Sequence, residues 1–296
     1  MSILITGAGG FVGKRLVASL AGAGHSVVAV VRAAPSGEDC RYFSGRNVRI
    51  VVADLSDLDV SILPNGISAV VALAQSAHFR EFPARATEVF DVNVNANLRL
   101  LDWSVRSGVK RFVLASSGGI YGGKLGAQFQ ETDNFPVNSP LGFYLGSKLC
   151  SEIVFQNYRQ FFVCAVIIRP FFIYGPGQRA DMFVTRIIHS VRDGRPVTLQ
   201  GADGLKINPI YVDDAVTAFS RAVDMTGGGI VNIAGPDILS LRDVADMAGE
   251  YLDKAPVFEM VEGSPVDYVA DISVARQILD LRPRSFRSGL AETLGR

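Results

Sequence analysis

The sequence is poor in the residues that cross-link small proteins or bind metals. It has three cysteines without a CxxC spacing and three histidines that lie far apart. These residues are Cys40, Cys150, Cys164, His25, His78 and His189. An odd, dispersed set of cysteines argues against a disulfide framework, and the scattered histidines argue against a structural metal site. We therefore predict a protein of a reducing compartment without a bound metal.

Excess charge and long apolar stretches are also missing. The chain of 296 residues carries 29 basic and 29 acidic side chains, so nothing indicates a general attraction to nucleic acid or to an anionic membrane surface. No apolar run approaches the ~20 residues that span a bilayer, and the N-terminus lacks the basic segment of a signal peptide. We expect a cytoplasmic protein with neither a nucleic acid nor a membrane as its partner.

The chain does contain six short, β-branched apolar runs with helical patterns between them. They are Ile3–Ile5, Val27–Val31, Val48–Val52, Ala69–Leu73, Phe112–Ala115 and Val163–Ile168. Runs of this kind, buried on both faces, are typical of a doubly wound parallel sheet. We predict helices over Val12–Ala21, over Val92–Arg106 and over Tyr144–Arg159, the last beginning near Pro140.

These patterns predict an α/β fold of two parts. Residues 1–168 form a Rossmann domain with a doubly wound parallel sheet. Residues 169–296 form mainly a smaller C-terminal substrate-binding lobe, parts of which return to pack on the Rossmann domain. Passages rich in Gly, Pro and Asp at Tyr174–Asp181, Gly201–Pro209 and Gly227–Asp237 suit a lobe of loops, short strands and helices.

A glycine-rich turn follows the first predicted strand. It places Gly7, Gly10 and Gly13 at the start of the first helix, with Phe11 and Val12 between the last two glycines. Missing side chains let the backbone approach a pyrophosphate, which the free N–H groups of a helix N-terminus stabilise. The strand before the turn and the helix after it make dinucleotide binding the preferred interpretation over a purely structural turn.

The end of the second strand bears on the choice between NAD and NADP. An NAD site usually has an acidic residue there, whereas this chain has Val31 followed by Arg32. A guanidinium can pair with the 2′-phosphate of NADP, so Arg32 favours NADP, although a solvated arginine is the alternative. Asp54 and Leu55, after the third strand, are candidates to flank the adenine, or Asp54 is an ordinary strand-end aspartate.

A serine, a tyrosine and a lysine suit hydride-transfer chemistry. Ser117 follows the fifth strand, and Tyr144 and Lys148 are four residues apart, on one face of the next helix. A tyrosine can take and return the proton of an alcohol if a nearby ammonium stabilises its phenolate. The serine hydroxyl would hold the substrate oxygen while charge develops on it.

With these motifs the chain resembles the extended short-chain dehydrogenase/reductase family, in particular its NAD-dependent epimerase/dehydratase branch, which acts on nucleotide sugars. The resemblance rests also on Val109–Tyr121, Arg169–Gln178, Tyr211–Asp214 and Ala270–Ser273. It implies catalytic roles for Ser117, Tyr144 and Lys148, and a homodimer formed through helices equivalent to Ala84–Arg106 and Tyr144–Arg159. It implies further cofactor contacts at Leu73, Ala74, Gln75, Asn93, Tyr144, Lys148 and Pro170.

Three departures from the family pattern concern the substrate. Gly118 and Gly119 stand where dehydratases have an Asp-Glu pair, which disfavours dehydration. Phe172 replaces an asparagine that relatives often use, and a phenyl ring cannot make that amide's hydrogen bonds. The arginines that clamp a diphosphate are not obvious, and Arg179, Lys206 or Arg276 are the substitutes. We predict substrate contacts at Ser117, Gly118, Tyr144, Phe172, Arg179 and Lys206.

The preferred function is an NAD(P)-dependent 4-epimerase of a sugar, in particular a nucleotide sugar. The alternative is an NADP-dependent ketoreductase of a sugar or non-sugar carbonyl compound, which Arg32 and Phe172 would suit. A third reading, a protein that senses NAD(P) without chemistry, is opposed by the presence of Ser117, Tyr144 and Lys148.

Overall fold

A computed structural model describes residues 1–136 and 141–295 of the chain. Its first strands are β1 Ser2–Thr6, β2 Ser26–Val31, β3 Val48–Val52, β4 Ala69–Ala72, β5 Arg111–Ala115, β6 Gln128–Phe129 and β7 Cys164–Pro170. The remaining strands are β8 Ile173–Tyr174, β9 Val197–Gln200, β10 Lys206–Ile207, β11 Ile210–Tyr211, β12 Gly227–Ile233, β13 Leu239–Ser240, β14 Phe258–Val261 and β15 Val269–Ala270.

The helices of the described residues alternate with the strands of the first half. They are α1 Phe11–Gly22, α2 Ala86–Phe90, α3 Ala96–Arg106, α4 Phe143–Tyr158, α5 Phe183–Asp193, α6 Val212–Asp224, α7 Leu241–Leu252, α8 Ser273–Ile278 and α9 Phe286–Thr293. Short 3-10 turns cover Gly37–Phe43, Leu55–Asp57, Val60–Ile62, Gly118–Tyr121 and Arg159–Phe161. A π-helical segment, Asp91–Asn95, joins α2 to α3.

Seven strands form the main sheet in the order β12-β7-β5-β4-β1-β2-β3. The neighbours from β7 through to β3 all pair in parallel. The chain moves outward from β1 to β3, then returns to the other side of β1 at β4, which creates a switch point between β1 and β4. The prediction of a doubly wound, Rossmann-type α/β sheet is confirmed.

The apolar runs form strands because burial on both faces of a sheet favours β-branched residues. Ile3, Leu4 and Ile5 of β1 have no exposed surface. On one side of the sheet, Phe112 of β5 packs at 5.6 Å from the Phe155 ring of α4, within a core cluster that includes Leu100 and Leu101 of α3.

The chain divides into two compact units that each draw on separate stretches of sequence. The first contains Met1–Ile120, Val137–Arg169 (described from 141) and Val216–Val231. The second contains Tyr121–Pro136, Pro170–Ala215 and Asn232–Arg296 (described to 295). Two stretches lie outside a simple division at residue 168. Residues 121–136 belong to the second unit, whereas residues 216–231 belong to the first, which fits the expectation that parts of the C-terminal stretch pack on the Rossmann domain. Aromatic stacking explains one of them, because the Tyr121 ring lies 4.9 Å from Phe129 within the second unit.

The passage 227–237, which we read as part of a loop-rich lobe, contains strand β12 of the main sheet, so the six-strand prediction misses the seventh. The sequence did not predict this strand because it begins with three glycines, and glycine is rare in strand interiors. Here glycine is required. A Cβ atom on Gly228 would lie 2.1 Å from the carbonyl oxygen of Ala165 on β7, so the two backbones approach more closely than any side chain allows.

The helix predicted over 92–106 is interrupted in the structure. Residues Asp91–Asn95 are π-helical, and the carbonyl of Asn93 accepts hydrogen bonds from the side chains of Asn97 (2.7 Å) and Ser151. These side chains satisfy a carbonyl that the widened turn frees. The helix predicted to carry Tyr144 begins at Phe143, and Pro140 lies outside the described residues.

Residues 1–136 and 141–295 contain neither a membrane-spanning helix nor a cluster of metal-binding side chains. No helix in these ranges is long and apolar enough to cross a membrane. The same residues contain no group of three or more His, Cys, Asp or Glu side chains that could hold a metal ion.

Candidate active site

The glycine turn between β1 and α1 is shaped by close backbone packing. Gly7 has φ +67°, and the N–H of Gly10 donates to the Gly7 carbonyl at 2.9 Å. A Cβ on Gly13 would lie 2.1 Å from that same carbonyl, and a Cβ on Gly7 would lie 2.8 Å from the backbone of Ala74. Gly10 caps α1 without a side-chain hydrogen bond. Phe11 and Val12 therefore begin a helix whose N–H groups fit a pyrophosphate.

The predicted adenosine contacts follow β2 and β3. Arg32 is exposed directly after β2, and Asp54 accepts hydrogen bonds from the N–H (2.9 Å) and hydroxyl (2.8 Å) of Ser56. These bonds hold the pKa of Asp54 below its usual range, and the positive charge of Arg32 adds to the effect. Asp54 thus caps the short turn Leu55–Asp57, in which Leu55 packs against the core of the first unit.

Lys148 connects α4 to the carboxyl ends of two strands. Its side chain is 2% exposed, and Nζ donates to the carbonyl of Ala115 at 3.1 Å and that of Ala74 at 3.5 Å. Burial lowers the pKa of Lys148 to about 8, whereas the negative charge of Glu152 opposes that shift. The lysine is therefore fixed beside β4 and β5, with a pKa closer to neutrality than that of a solvated lysine.

Tyr144 lies one helical turn before Lys148, and its hydroxyl has two polar neighbours. It donates to Oε1 of Gln75 at 2.9 Å. Burial raises the pKa of Tyr144 to about 12, and a hydrogen bond with Ser117 acts in the opposite direction. The Phe79 ring packs on the tyrosine at a centroid distance of 5.1 Å. The predicted Ser117, Tyr144 and Lys148 are thus brought together at the carboxyl end of the sheet.

Ser117 and Gly118 belong to the connection after β5. The Ser117 hydroxyl accepts a hydrogen bond from the N–H of Gly119 at 3.2 Å, and Gly118 is buried at the start of a 3-10 turn. A Cβ on Gly119 would lie 2.8 Å from the side chain of Leu145 on α4. The absence of a side chain at Gly119 lets the segment that carries Ser117 lie against the helix that carries Tyr144.

Asn93 holds the segment after β4 against α4. Its Oδ1 accepts from the N–H of Ser76 at 3.0 Å, and its Nδ2 donates to the Ser147 hydroxyl at 2.9 Å. Ser147 in turn donates to the carbonyl of Tyr144 at 2.7 Å. Leu73, Ala74 and Gln75 are therefore fixed beside the helix of Tyr144 and Lys148.

Sequence reasoning missed the supporting residues on α4. Ser147 and Ser151 are buried, and both contact Asn93, while Glu152 is buried against Arg169. Together with Tyr144 and Lys148, the two serines occupy positions i, i+3, i+4 and i+7 of one helix face. Polar residues at this helical spacing were the signal in the sequence that could have identified Ser147 and Ser151.

The remaining predicted residues belong to the second unit. Phe172 has φ +43°, rare for a bulky side chain, and its ring lies 5.1 Å from Phe183. Arg179 is exposed and makes two bonds to the carboxylate of Asp181, at 3.0 and 2.9 Å. Lys206 is exposed on β10, and Pro170 ends β7.

A sequence model of the NAD dependent epimerase/dehydratase family matches residues 3–234. The chain belongs to this family. The UDP-glucose 4-epimerase of Mycolicibacterium smegmatis, a curated relative, is 31% identical over 244 residues, which cover 77% of this chain and 75% of that protein. A dTDP-4-dehydro-6-deoxy-D-allose reductase of Streptomyces bikiniensis is 28% identical over 99% of this chain and 94% of its own length.

Solved structures of the NAD dependent epimerase/dehydratase family share the fold. The structure of MoeE5 in complex with UDP-glucuronic acid and NAD matches with a TM-score of 0.83 and 30% identity, covering 100% of this chain and 98% of that one. The family resemblance predicted from the motifs is confirmed. The chain is accordingly an enzyme of the NAD-dependent epimerase and oxidoreductase class.

Proposed function

We propose that this protein is an NAD-dependent 4-epimerase of a nucleotide sugar, with a UDP-sugar as the substrate class. The observation that carries the proposal is the cluster of Ser117, Tyr144 and Lys148 at the carboxyl ends of β4 and β5, in a chain of this family. The similar UDP-glucose 4-epimerase and the UDP-glucuronic acid bound to MoeE5 support the substrate class.

In this mechanism each residue of the cluster has one task. Bound NAD supplies the acceptor and donor of the hydride. Tyr144 takes the proton of the substrate's 4-hydroxyl during oxidation and returns it during reduction. The Lys148 ammonium donates hydrogen bonds to two backbone carbonyls, which fix its position. Its positive charge stabilises the Tyr144 phenolate. The Ser117 hydroxyl donates to the substrate oxygen as negative charge develops there.

The residues proposed to hold the cofactor follow from the same framework. The turn containing Gly7, Gly10, Phe11, Val12 and Gly13 would hold the pyrophosphate, since two of its glycines have no room for a Cβ. Contacts to the nicotinamide half are assigned to Leu73, Ala74, Gln75, Asn93, Tyr144, Lys148 and Pro170.

The choice between NAD and NADP depends on the end of β2. NAD is the proposed cofactor because MoeE5 binds it, and the comparisons give no support to the NADP preference derived from Arg32. Calorimetric titration with NADH and NADPH tests this choice. Tighter binding of NADPH, abolished by Arg32→Ala, would restore the NADP assignment.

Substrate recognition by Phe172, Arg179 and Lys206 stays a prediction. The backbone of Phe172 has the left-handed conformation that asparagine adopts more readily. We therefore expect Phe172→Asn to be tolerated by the fold and to change the affinity for UDP, measured by calorimetry. Arg179→Ala should have little effect on UDP affinity if its bonds to Asp181 persist in the complex.

The function is tested by incubating the purified protein with UDP-glucuronic acid and, separately, with UDP-glucose, without added cofactor, and following the sugar signals by proton NMR. The expected result is a mixture of 4-epimers with no net change in NADH absorbance. Tyr144→Phe should lose turnover by orders of magnitude and keep its NAD affinity. Wild-type protein that retains NAD yet converts neither sugar would contradict the proposal.

A ketoreductase is the second candidate, and one observation favours it. The similar protein from Streptomyces bikiniensis is named as a reductase of a dTDP-4-keto sugar. In the same NMR assay a reductase would need a stoichiometric supply of NADH or NADPH and a keto sugar, and would leave UDP-glucose unchanged. Consumption of reduced cofactor with a dTDP-4-keto sugar would decide for this function.

A homodimer is also proposed from the family resemblance. Support comes from exposed apolar side chains on α3 and α4, where Leu98 is 40% and Ile153 59% exposed. Light scattering should give twice the 31.8 kDa of the chain, and Ile153→Glu should reduce that mass. Cytoplasmic location stays a prediction that cell fractionation would test.

A further inference from the structure

The Gln75 side chain contacts the hydroxyl of Tyr144, the group that carries the proton in the proposed function. Its Oε1 accepts a hydrogen bond from the Tyr144 hydroxyl at 2.9 Å. Gln75 lies three residues after the end of β4, and its side chain is exposed. An exposed glutamine has many available rotamers, so contacts of the surrounding backbone must restrict it if it is to stay bonded to Tyr144.

The backbone on both sides of Gln75 supplies that reason. The preceding carbonyl, that of Ala74, accepts from Nζ of Lys148 at 3.5 Å. The following N–H, that of Ser76, donates to Asn93, which is bonded to Ser147 of α4. Gln75 is therefore held between two attachments to the helix that carries Tyr144, which directs its amide at the phenol.

The glutamine amide has both a hydrogen-bond acceptor and a hydrogen-bond donor to offer a titrating hydroxyl. Its carbonyl oxygen accepts from a neutral phenol, and after rotation of the amide its NH₂ group donates to a phenolate. Bonds to an ionised partner are about twice as strong as those between neutral groups. A single glutamine can therefore serve both protonation states of Tyr144 and favour the charged one.

We propose that Gln75 is a further catalytic residue, which accepts a hydrogen bond from the neutral Tyr144 and donates one to its phenolate. The inference rests on the proposed function, because it assigns a partner to the group that carries the proton there. When the substrate O–H bond breaks, the proton forms the phenol O–H bond of Tyr144. Gln75 then changes from donor to acceptor without itself gaining or losing a proton.

Other ionisable groups lie on the elements around Tyr144 and are the same in the wild type and in the Gln75→Leu variant. On α4 they are Lys148 and Glu152, and on the chain from the end of β4 to the first residue of the π-helical segment they are His78, Arg80, Glu81, Arg85, Glu88 and Asp91. His78 bonds to Glu81 at 2.7 Å, and Arg85 pairs with Glu88 at 3.2 Å. Since these groups stay constant, substitution of residue 75 alone isolates the amide.

The test replaces Tyr144 by 3,5-difluorotyrosine, whose phenol ionises at lower pH, and follows its ionisation by ¹⁹F NMR in protein free of substrate. The decisive variant is Gln75→Leu, which keeps an apolar side chain as far as the δ position and removes both hydrogen-bonding groups. The expected result is a midpoint raised by at least about half a pH unit, because the phenolate loses a donor. A lowered midpoint would mean that Gln75 only accepts, and an unchanged one that the contact has no effect; either overturns the proposal.

Two controls define the range of the measurement. Gln75→Glu places a carboxylate beside the phenol and should raise the midpoint by about one unit or more. Gln156→Glu adds the same charge at an exposed position of the same helix and should leave the midpoint unchanged. Gln75→Ala, with the same expected direction as Gln75→Leu, replaces it if the leucine variant unfolds.

Turnover distinguishes this inference from the proposed function. With the natural Tyr144, Gln75→Leu should lower kcat roughly 10- to 100-fold in the epimerisation assay, with a smaller change in KM. A wild-type kcat together with an unchanged midpoint would refute the role of Gln75 and leave the epimerase intact. If no sugar is epimerised but the midpoint rises in Gln75→Leu, the contact stands and the function alone fails.

Discussion

The carboxylate of Glu152 accepts two hydrogen bonds from the guanidinium of Arg169, at 3.0 Å from Nε and 2.7 Å from Nη2. The two side chains are only 3% and 1% exposed. Glu152 lies one helical turn after Lys148, and its charge opposes the lowering of the lysine's pKa by burial. The buried carboxylate of Glu152 thus interacts with two buried cations, Arg169 and Lys148, and Lys148 belongs to the proposed catalytic cluster.

Removal of that carboxylate should be strongly destabilising. Glu152→Gln removes a buried negative charge that lies against Arg169 and acts on Lys148, and we expect the free energy of unfolding to fall by about 3–5 kcal/mol. Asp102→Asn, which removes the acid of an exposed ion pair with Arg106, should cost less than about 1 kcal/mol. Urea denaturation measures both, and equal losses would show that the buried pair is no more important than the exposed one.

Lys148 should make stability depend on pH in the alkaline range. Its pKa is about 8 in the folded protein and 10.5 in the unfolded chain, so between these values the unfolded state binds more protons. The burial cost of the ammonium is present below pH 8 and is relieved as the pH rises. The free energy of unfolding of the wild type, minus that of Lys148→Met, should increase from pH 8 to 10 by at most about 1.4 kcal/mol per unit. A flat or falling difference in urea titrations would contradict this assignment.

The glycine turn offers a matched pair of substitutions in α1. Gly13→Ala forces a methyl group into the space 2.1 Å from the Gly7 carbonyl, so the turn must open, and we expect NAD affinity to fall at least about tenfold. Gly22→Ala, in the same helix, meets no atom within 4 Å and should leave affinity unchanged while raising stability by up to about 1 kcal/mol. Calorimetric titration with NAD gives the affinities; similar values for both variants would rule out the steric account.

Adjacent glycines of β12 provide the corresponding test for the sheet edge. Gly228→Ala would bring its Cβ to 2.1 Å from the Ala165 carbonyl, and we expect a loss of about 1–3 kcal/mol in the free energy of unfolding. Gly229→Ala meets nothing within 4 Å and should change stability by less than about 0.5 kcal/mol. Equal effects in thermal denaturation would mean that β12 does not lie so close to β7.

The local sequence was sufficient to predict six of the seven strands of the main sheet and the residues of the proposed catalytic cluster. The β-branched runs correspond to β1 through β5 and to β7 because burial on both faces of a parallel sheet requires them. The glycine spacing follows from the need for bare backbone at the turn, and the spacing of Tyr144 and Lys148 follows from the period of one helix. Each of these features depends on neighbours within a few positions.

Contacts between distant residues were decided only by the tertiary structure. Gln75 and Tyr144 are 69 positions apart, and Glu152 and Arg169 meet across a helix and a strand. Strand β12 looked like a loop because its glycines matter only where the β7 backbone passes close to them. A residue type fixes what a side chain can do, whereas the partner that it meets depends on how the sheet brings remote strand ends together.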